Sequence, residues 1–145
     1  GVGMYNPATS RVNAFIQRIK VNHHSGTVGV GPWYVERFAA MTIALGGATT
    51  PMGKNCNPGS GKTANCCGLA IAVPAQAAAG TPIAVFPSPV VGGALALTTL
   101  NQSAQVDYDG LICVPPGYGI GLTITLVGTT NIYSGEIYWE EIPIV

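Results

Sequence analysis

Glycine and proline interrupt this sequence so often that they limit the length of every regular element. The 145 residues include 20 glycines and 11 prolines. Both residues destabilise the interior of a helix, and proline is also excluded from central strand positions because it lacks the backbone N–H. The chain therefore has little room for helices, and short β-strands suit it better.

Runs rich in β-branched and aromatic residues lie between these interruptions. Their length and composition are typical of strands, and several of them alternate in character with a period of two. We expect strands at 12–22, 33–45, 68–73, 83–86, 94–100, 110–114, 119–127 and 135–142. Many short strands with this spacing predict an all-β fold, an antiparallel β-sandwich of the jelly-roll type with about eight strands.

The length of the chain is typical of one domain with its own hydrophobic core. We therefore expect a single β-sandwich domain over 1–145. The segment 46–65 is rich in Gly, Thr, Asn and Pro, which predicts a long irregular loop at the surface.

The first predicted strand shows the alternation most clearly. Arg18 and Lys20 share one face, opposite Ile19 and Val21. An unbroken period of two would group Phe15 and Gln17 with the second pair, and Ala14 and Ile16 with the first.

Charged residues are scarce and are distributed unevenly. They make up 8% of the chain, against about 25% in an ordinary domain, whereas hydrophobic residues make up 48%. All six Lys and Arg lie at or before Lys62, and five of the six acids lie at or after Asp107. A neutral, apolar chain tends to associate with itself or with a larger assembly. The opposite charges favour N-terminal and C-terminal strands side by side, in one subunit or across two.

Three classes of partner or cofactor are not expected. The net charge of zero argues against a nucleic-acid surface, and no run of about 18 apolar residues could form a membrane helix. Gly61, Lys62 and Thr63 resemble the end of a phosphate-binding loop, but that motif needs a glycine where the chain has Cys56. The sequence therefore predicts no nucleotide or other cofactor.

The cysteines and histidines do not have the spacing of a metal site. Cys66 and Cys67 are adjacent rather than in a CxxC pair, and strand neighbours such as His23 and His24 point to opposite faces, as at a polar strand end. A disulfide between Cys56 and either Cys66 or Cys67 would staple the long loop. Cys113, inside an apolar strand, is predicted to be a buried free thiol.

Two pairs of carboxylates could share a strand face, Asp107 with Asp109 and Glu136 with Glu140. Such pairs are used in acid–base hydrolysis. No nucleophile motif accompanies them, so we expect that the chain is not an enzyme.

Four aromatic residues are candidates for an interaction site: Trp33, Tyr34, Tyr138 and Trp139. Flat rings with polar edges suit stacking on sugars, and they also suit a core or a protein interface.

Four segments together resemble small β-rich virion proteins of tailed bacteriophages. They are Asn6 to Ser10, Ser25 to Gly29, Val114 to Gly117 and Trp139 to Pro143. The resemblance implies a jelly-roll decoration or cement protein that binds the major capsid protein on the outer surface of the virion. It also implies manufacture in the host cytoplasm and self-association, with a homotrimer favoured. The alternatives are a head-fibre or tail-fibre tip that binds a receptor, and a carbohydrate-binding module.

Overall fold

A computed structural model describes residues 2–25, 33–39, 66–70, 80–87, 102–124 and 132–145. These ranges contain eight β-strands and no helix. The strands are β1 (Val2–Tyr5), β2 (Val12–Ser25), β3 (Trp33–Ala39), β4 (Cys67–Ala70), β5 (Thr81–Phe86), β6 (Gln102–Val114), β7 (Tyr118–Ile124) and β8 (Ile132–Pro143).

The strands form two antiparallel sheets. One has five strands in the order β4-β1-β7-β3-β5, and the other has three in the order β6-β2-β8. A single cluster of buried side chains draws on both sheets, an arrangement consistent with a β-sandwich. The all-β prediction is confirmed. The largest buried apolar side chains include Met4, Trp33, Val35, Phe86 and Ile120 from the first sheet and Ile16, Ile19, Val21 and Val114 from the second.

The pairing places the two ends of the chain side by side, as the charge distribution indicates. β2 is the central strand of the three-stranded sheet, between β6 and β8. The cations of β2 therefore lie between strands that carry Asp107, Asp109, Glu136, Glu140 and Glu141. The prediction is confirmed within one subunit.

A β-bulge at Gln17 changes which side chains of β2 enter the core. Ile16 pairs with Trp139 of β8, and the next paired residue, Arg18, is opposite Tyr138. Because one residue is skipped, the inward positions move from even numbers to odd numbers at this point. The buried residues are Val12, Ala14 and Ile16 before the bulge and Ile19, Val21 and His23 after it.

The predicted faces of β2 are correct after the bulge and wrong before it. Arg18 and Lys20 do point away from Ile19 and Val21, but Ala14 and Ile16 are fully buried rather than on the charged face. The sequence does contain a signal for this change of face. Val12, Ala14 and Ile16 are apolar at even positions, whereas Ile19 and Val21 are apolar at odd positions, so the two runs are out of phase by one residue.

Several strand boundaries also differ from the prediction. β1 was not predicted, and β6 begins at Gln102 instead of 110 because polar residues on its exposed side alternate with Ala104, Val106 and Tyr108. The predicted strand at 94–100, the loop at 46–65 and the end of the strand predicted at 33–45 lie outside the described residues.

The side chain of Asn6 ties the start of β2 to the end of β6. Asn6 is fully buried, and its Nδ2 group donates hydrogen bonds of 2.8 Å to the carbonyl oxygens of both Val12 and Val114. A side-chain amide supplies two N–H donors, one for each of these acceptors, and it carries no charge. This one side chain therefore links the connection between β1 and β2 to the last residue of β6.

The backbone of Asn6 binds the turn that joins β6 to β7. Its N–H donates to the carbonyl of Tyr118 at 2.9 Å, and its carbonyl accepts from Gly117 at 2.8 Å. Gly117 has a φ of +83°, and the Tyr118 N–H donates to the carbonyl of Pro115, which together fit a type II turn with glycine at its third position. The start of the chain and the turn before β7 thus meet at one corner.

We predict that Asn6→Asp strongly destabilises the fold. A carboxylate at this position would place buried negative charge beside two carbonyl oxygens and lose both hydrogen bonds. We expect the free energy of unfolding to fall by about 3 kcal/mol or more, measured by urea denaturation.

The matched control is Asn22→Asp, on the half-buried side of β2, where the amide makes only a 3.4 Å contact with Ser134. We expect its free energy of unfolding to change by about 0.5 kcal/mol or less. Equal losses in the two variants would contradict the role assigned to Asn6.

Candidate interaction surface

The two tryptophans that were candidates for an interaction site belong to the interior. Trp33 is 2% exposed, and its ring centroid lies 6.5 Å from that of Phe86. Trp139 packs against the core from β8, and its Nε1 donates to Glu141 Oε1 at 3.1 Å. Both indoles therefore lie on the core side of their sheets.

The structure does not bring the four aromatic candidates together. Tyr34 is half-buried on β3 in the five-stranded sheet, whereas Tyr138 is 42% exposed on the three-stranded sheet. Each lies next to a tryptophan in sequence, so the alternation of a strand directs the two neighbours to opposite faces. Only Tyr138 remains as an exposed aromatic of the candidate surface.

The outer face of the three-stranded sheet, called the outer face below, carries a row of charges. Arg18 Nε donates to Asp107 Oδ1, and this hydrogen bond and the carboxylate charge raise the pKa of Arg18 above its usual value. Lys20 lies opposite Glu136 in register. Opposite charges on neighbouring strands support this pairing of β2 with its neighbours.

The strand β6 is irregular beside Gln17, in a segment called the β6 bulge below (residues 108–111). Ile16 pairs with Ile112 and Arg18 with Asp107, so the four residues between are opposite Gln17 alone. Asp109 and Gly110 have φ values of +48° and +81°, the left-handed conformation that glycine and, less often, aspartate adopt.

The β6 bulge has one buried residue and one strongly exposed residue. Tyr108 is 9% exposed, and its burial raises the pKa of its hydroxyl. Leu111 is 88% exposed. The bulge is thus anchored at its start and displays a large apolar side chain at its end.

A shallow depression of about 320 Å³ lies beside the bulge on the outer face. It is lined by Gln17, Arg18, Asp107, Asp109 and Tyr138. Carboxylates, a guanidinium, an amide and an aromatic ring can together form ion pairs, hydrogen bonds and stacking contacts with another molecule.

The carboxylate pairs considered for hydrolysis have other contacts. Asp107 accepts from Arg18, Glu136 accepts from the Tyr138 hydroxyl at 2.8 Å, and Glu140 accepts from Gln17 Nε2 at 3.4 Å. These contacts join neighbouring strands or residues of one strand.

Apolar residues continue the outer face beyond the bulge. Phe15 is half-buried and lies opposite Cys113, which is exposed. Ile142 of β8 is 46% exposed. The C-terminal segment continues from there, with the N–H of Ile144 bound to the carbonyl of Arg11 at 3.0 Å.

The cysteines differ in accessibility from the prediction. Cys113 is exposed, not buried, because it points outward between the inward residues Ile112 and Val114. Cys66 is 2% exposed, and its N–H donates to Glu141 Oε1 at 2.8 Å. Cys56 lies outside the described residues, so its disulfide with Cys66 or Cys67 stays a prediction.

The adjacent histidines point to opposite faces, as predicted. His23 is 1% exposed, which corrects the expectation of a polar strand end, whereas His24 is exposed with Nε2 2.8 Å from Ser134 Oγ. Within the ranges that the structure describes, no three His, Cys, Asp or Glu side chains are grouped so that they could hold a metal ion. In those same ranges no helix is long and apolar enough to span a membrane.

Comparison with known proteins gives no match to this chain. No family model matches it, and no curated protein or solved structure is significantly similar to it.

We predict that Cys113 reacts with iodoacetamide in the native protein and that Cys66 is protected. Partial burial raises the pKa of the Cys113 thiol, so the fraction of thiolate at a given pH is smaller than for a free cysteine. The rate should still increase as the pH rises above about 8.5, the usual cysteine pKa. Peptide mass spectrometry after timed labelling measures both sites, and equal labelling of Cys66 would contradict its burial.

Proposed function

We propose that this chain is a structural virion protein, a capsid decoration or cement protein that binds the major capsid protein on the outside of a phage head and stabilises it. The observation that carries this proposal is the outer face, which exposes Leu111, Tyr138 and Ile142 on a two-sheet scaffold. Full burial of one such side chain contributes about 1.5–3 kcal/mol. A group of them on one sheet face suits a protein partner.

The low charge of the chain supports the same function. A cement protein stabilises a shell by burying area across the junctions of its subunits, and it needs no reactive group. With only 8% charged residues in the chain, and half of those on the outer face, the remaining surface can be buried while few ions are desolvated. The same property favours self-association, and the virion-protein resemblance favours a trimer.

We also propose that the sandwich is a jelly roll, the fold implied by that resemblance. In one sheet of a jelly roll, the first strand pairs with the last strand, which is followed by the third and the sixth. Here β1, β7, β3 and β5 are neighbours in that order, and β2 pairs with β6 in the other sheet. β4 and β8 are additions to this scheme: β4 pairs with the other side of β1, and β8 follows β7 and pairs with the side of β2 opposite β6.

The test is binding to expanded, undecorated heads of the phage that encodes the chain. We expect saturable co-sedimentation at a fixed ratio of chain to capsid subunit, and a higher temperature of head disruption in its presence. Heads that already carry their full complement of the protein serve as the control and should bind no more. Absence of binding to the undecorated heads would overturn the proposal.

The location of the protein on the virion provides a second test. Antibody raised against the purified chain should label the heads of intact particles in electron micrographs. Label confined to the tail would contradict a decoration role.

A further inference from the structure

We infer that the β6 bulge is the part of the outer face that enters the shell, with Leu111 as its apolar anchor and Asp109 as its charged contact. The inference rests on the proposed function, because it names the docking surface and the chemistry of the partner. The partner surface is a hollow in the shell that is apolar at its centre and has a Lys or Arg at its rim.

The backbone of the β6 bulge is held in an uncommon conformation. Two successive residues, Asp109 and Gly110, have positive φ values. A non-glycine residue in this conformation carries strain, and such strain persists only where the surrounding structure imposes it. Buried Tyr108 holds one end, and a Cβ on Gly110 would lie 3.8 Å from both Gln17 Nε2 and Phe15 Cβ, so the bulge lies against β2.

Leu111 is the most exposed large apolar side chain of the outer face among the described residues. At 88% it far exceeds Ile142 at 46% on the same face. A protruding apolar side chain leaves water when it enters an apolar hollow of a partner, and this burial stabilises the complex.

The outer face carries more negative than positive charge, which indicates the charge of the surface that it binds. On the outward side of β2, β6 and β8, the four carboxylates Asp107, Asp109, Glu136 and Glu140 are opposed by Arg18 and Lys20, a net charge of −2 for these strands. A basic surface is complementary to this face, whereas an acidic surface would be repelled.

Asp109, in the β6 bulge, is the carboxylate that we expect to bind a cation of the partner, because the two cations of β2 lie against other carboxylates. Arg18 donates its hydrogen bond to Asp107 and interacts with Asp109 through charge alone, and Lys20 lies opposite Glu136. Asp109 also lines the depression together with the exposed ring of Tyr138. A carboxylate beside an aromatic ring is a favourable environment for a guanidinium or an ammonium group.

The apolar anchor is tested with Leu111→Ser and a matched control, Val85→Ser, which replaces a 69% exposed residue of β5 in the other sheet. Binding to undecorated heads is measured by titration. We expect Leu111→Ser to weaken the affinity by roughly tenfold or more, and Val85→Ser to change it by less than about twofold. Similar affinities for the two variants would overturn the inference.

The charged contact is tested with Asp109→Asn, because asparagine tolerates positive φ and the substitution removes only the charge. The control is Glu136→Gln, which removes one negative charge elsewhere on the outer face. We expect Asp109→Asn to lower the association rate about fivefold at low salt and to reduce the dependence of the affinity on salt, with a smaller effect for Glu136→Gln. Equal effects would show that net charge alone matters and would overturn the local contact.

The outcomes separate this inference from the function on which it rests. If the unmodified chain does not bind undecorated heads, the proposed function fails. If it binds and all four variants bind equally well, the function stands and the docking surface is wrong. If Leu111→Ser instead dissociates an oligomer of the free chain in analytical ultracentrifugation, with unchanged affinity for heads, the bulge contacts a second copy and the inference is overturned. Circular dichroism and thermal unfolding of each variant exclude misfolding as the cause.

Discussion

The bulge at Gln17 is the constraint on which both faces of the three-stranded sheet depend. A strand with an unbroken period of two would bury either Ala14 and Ile16 or Ile19 and Val21, but not all four. By skipping one residue in the pairing, β2 places both pairs in the core and both Arg18 and Lys20 outside. The core and the charged row are therefore consequences of the same irregularity.

The corner at Asn6 solves a different problem, the attachment of the first strand to the rest of the fold. β1 has only four residues, so its own pairing with β4 and β7 provides few hydrogen bonds. The side chain and backbone of Asn6 add bonds to β2, β6 and the turn before β7. Gly3 contributes by close approach, because a Cβ there would lie 2.8 Å from the carbonyl oxygen of Ile120.

The sequence is informative where one chemical preference acts alone. The absence of helix in the described residues follows from glycine and proline, and the adjacency of the two chain ends follows from the separation of cations and acids. It is less informative where two preferences compete. The apolar neighbours Leu111, Ile112 and Val114 predict a buried Cys113. A strand in a sandwich buries only alternate residues, however, and Cys113 is on the outward side. The β6 bulge has a recognisable Asp-Gly pair, but the same pair is also common in turns, so only the pairing with β2 reveals its form.

The positive φ values of Asp109 and Gly110 also affect how the chain behaves at high local concentration. In the part of the chain that the structure describes, β6 is an edge strand, and an edge strand can pair with the same strand of another molecule to begin a fibril. The bulge in the middle of β6 divides that edge into two shorter stretches of regular pairing. A second molecule would therefore meet an interrupted ladder along β6, which disfavours continuous strand addition at this edge.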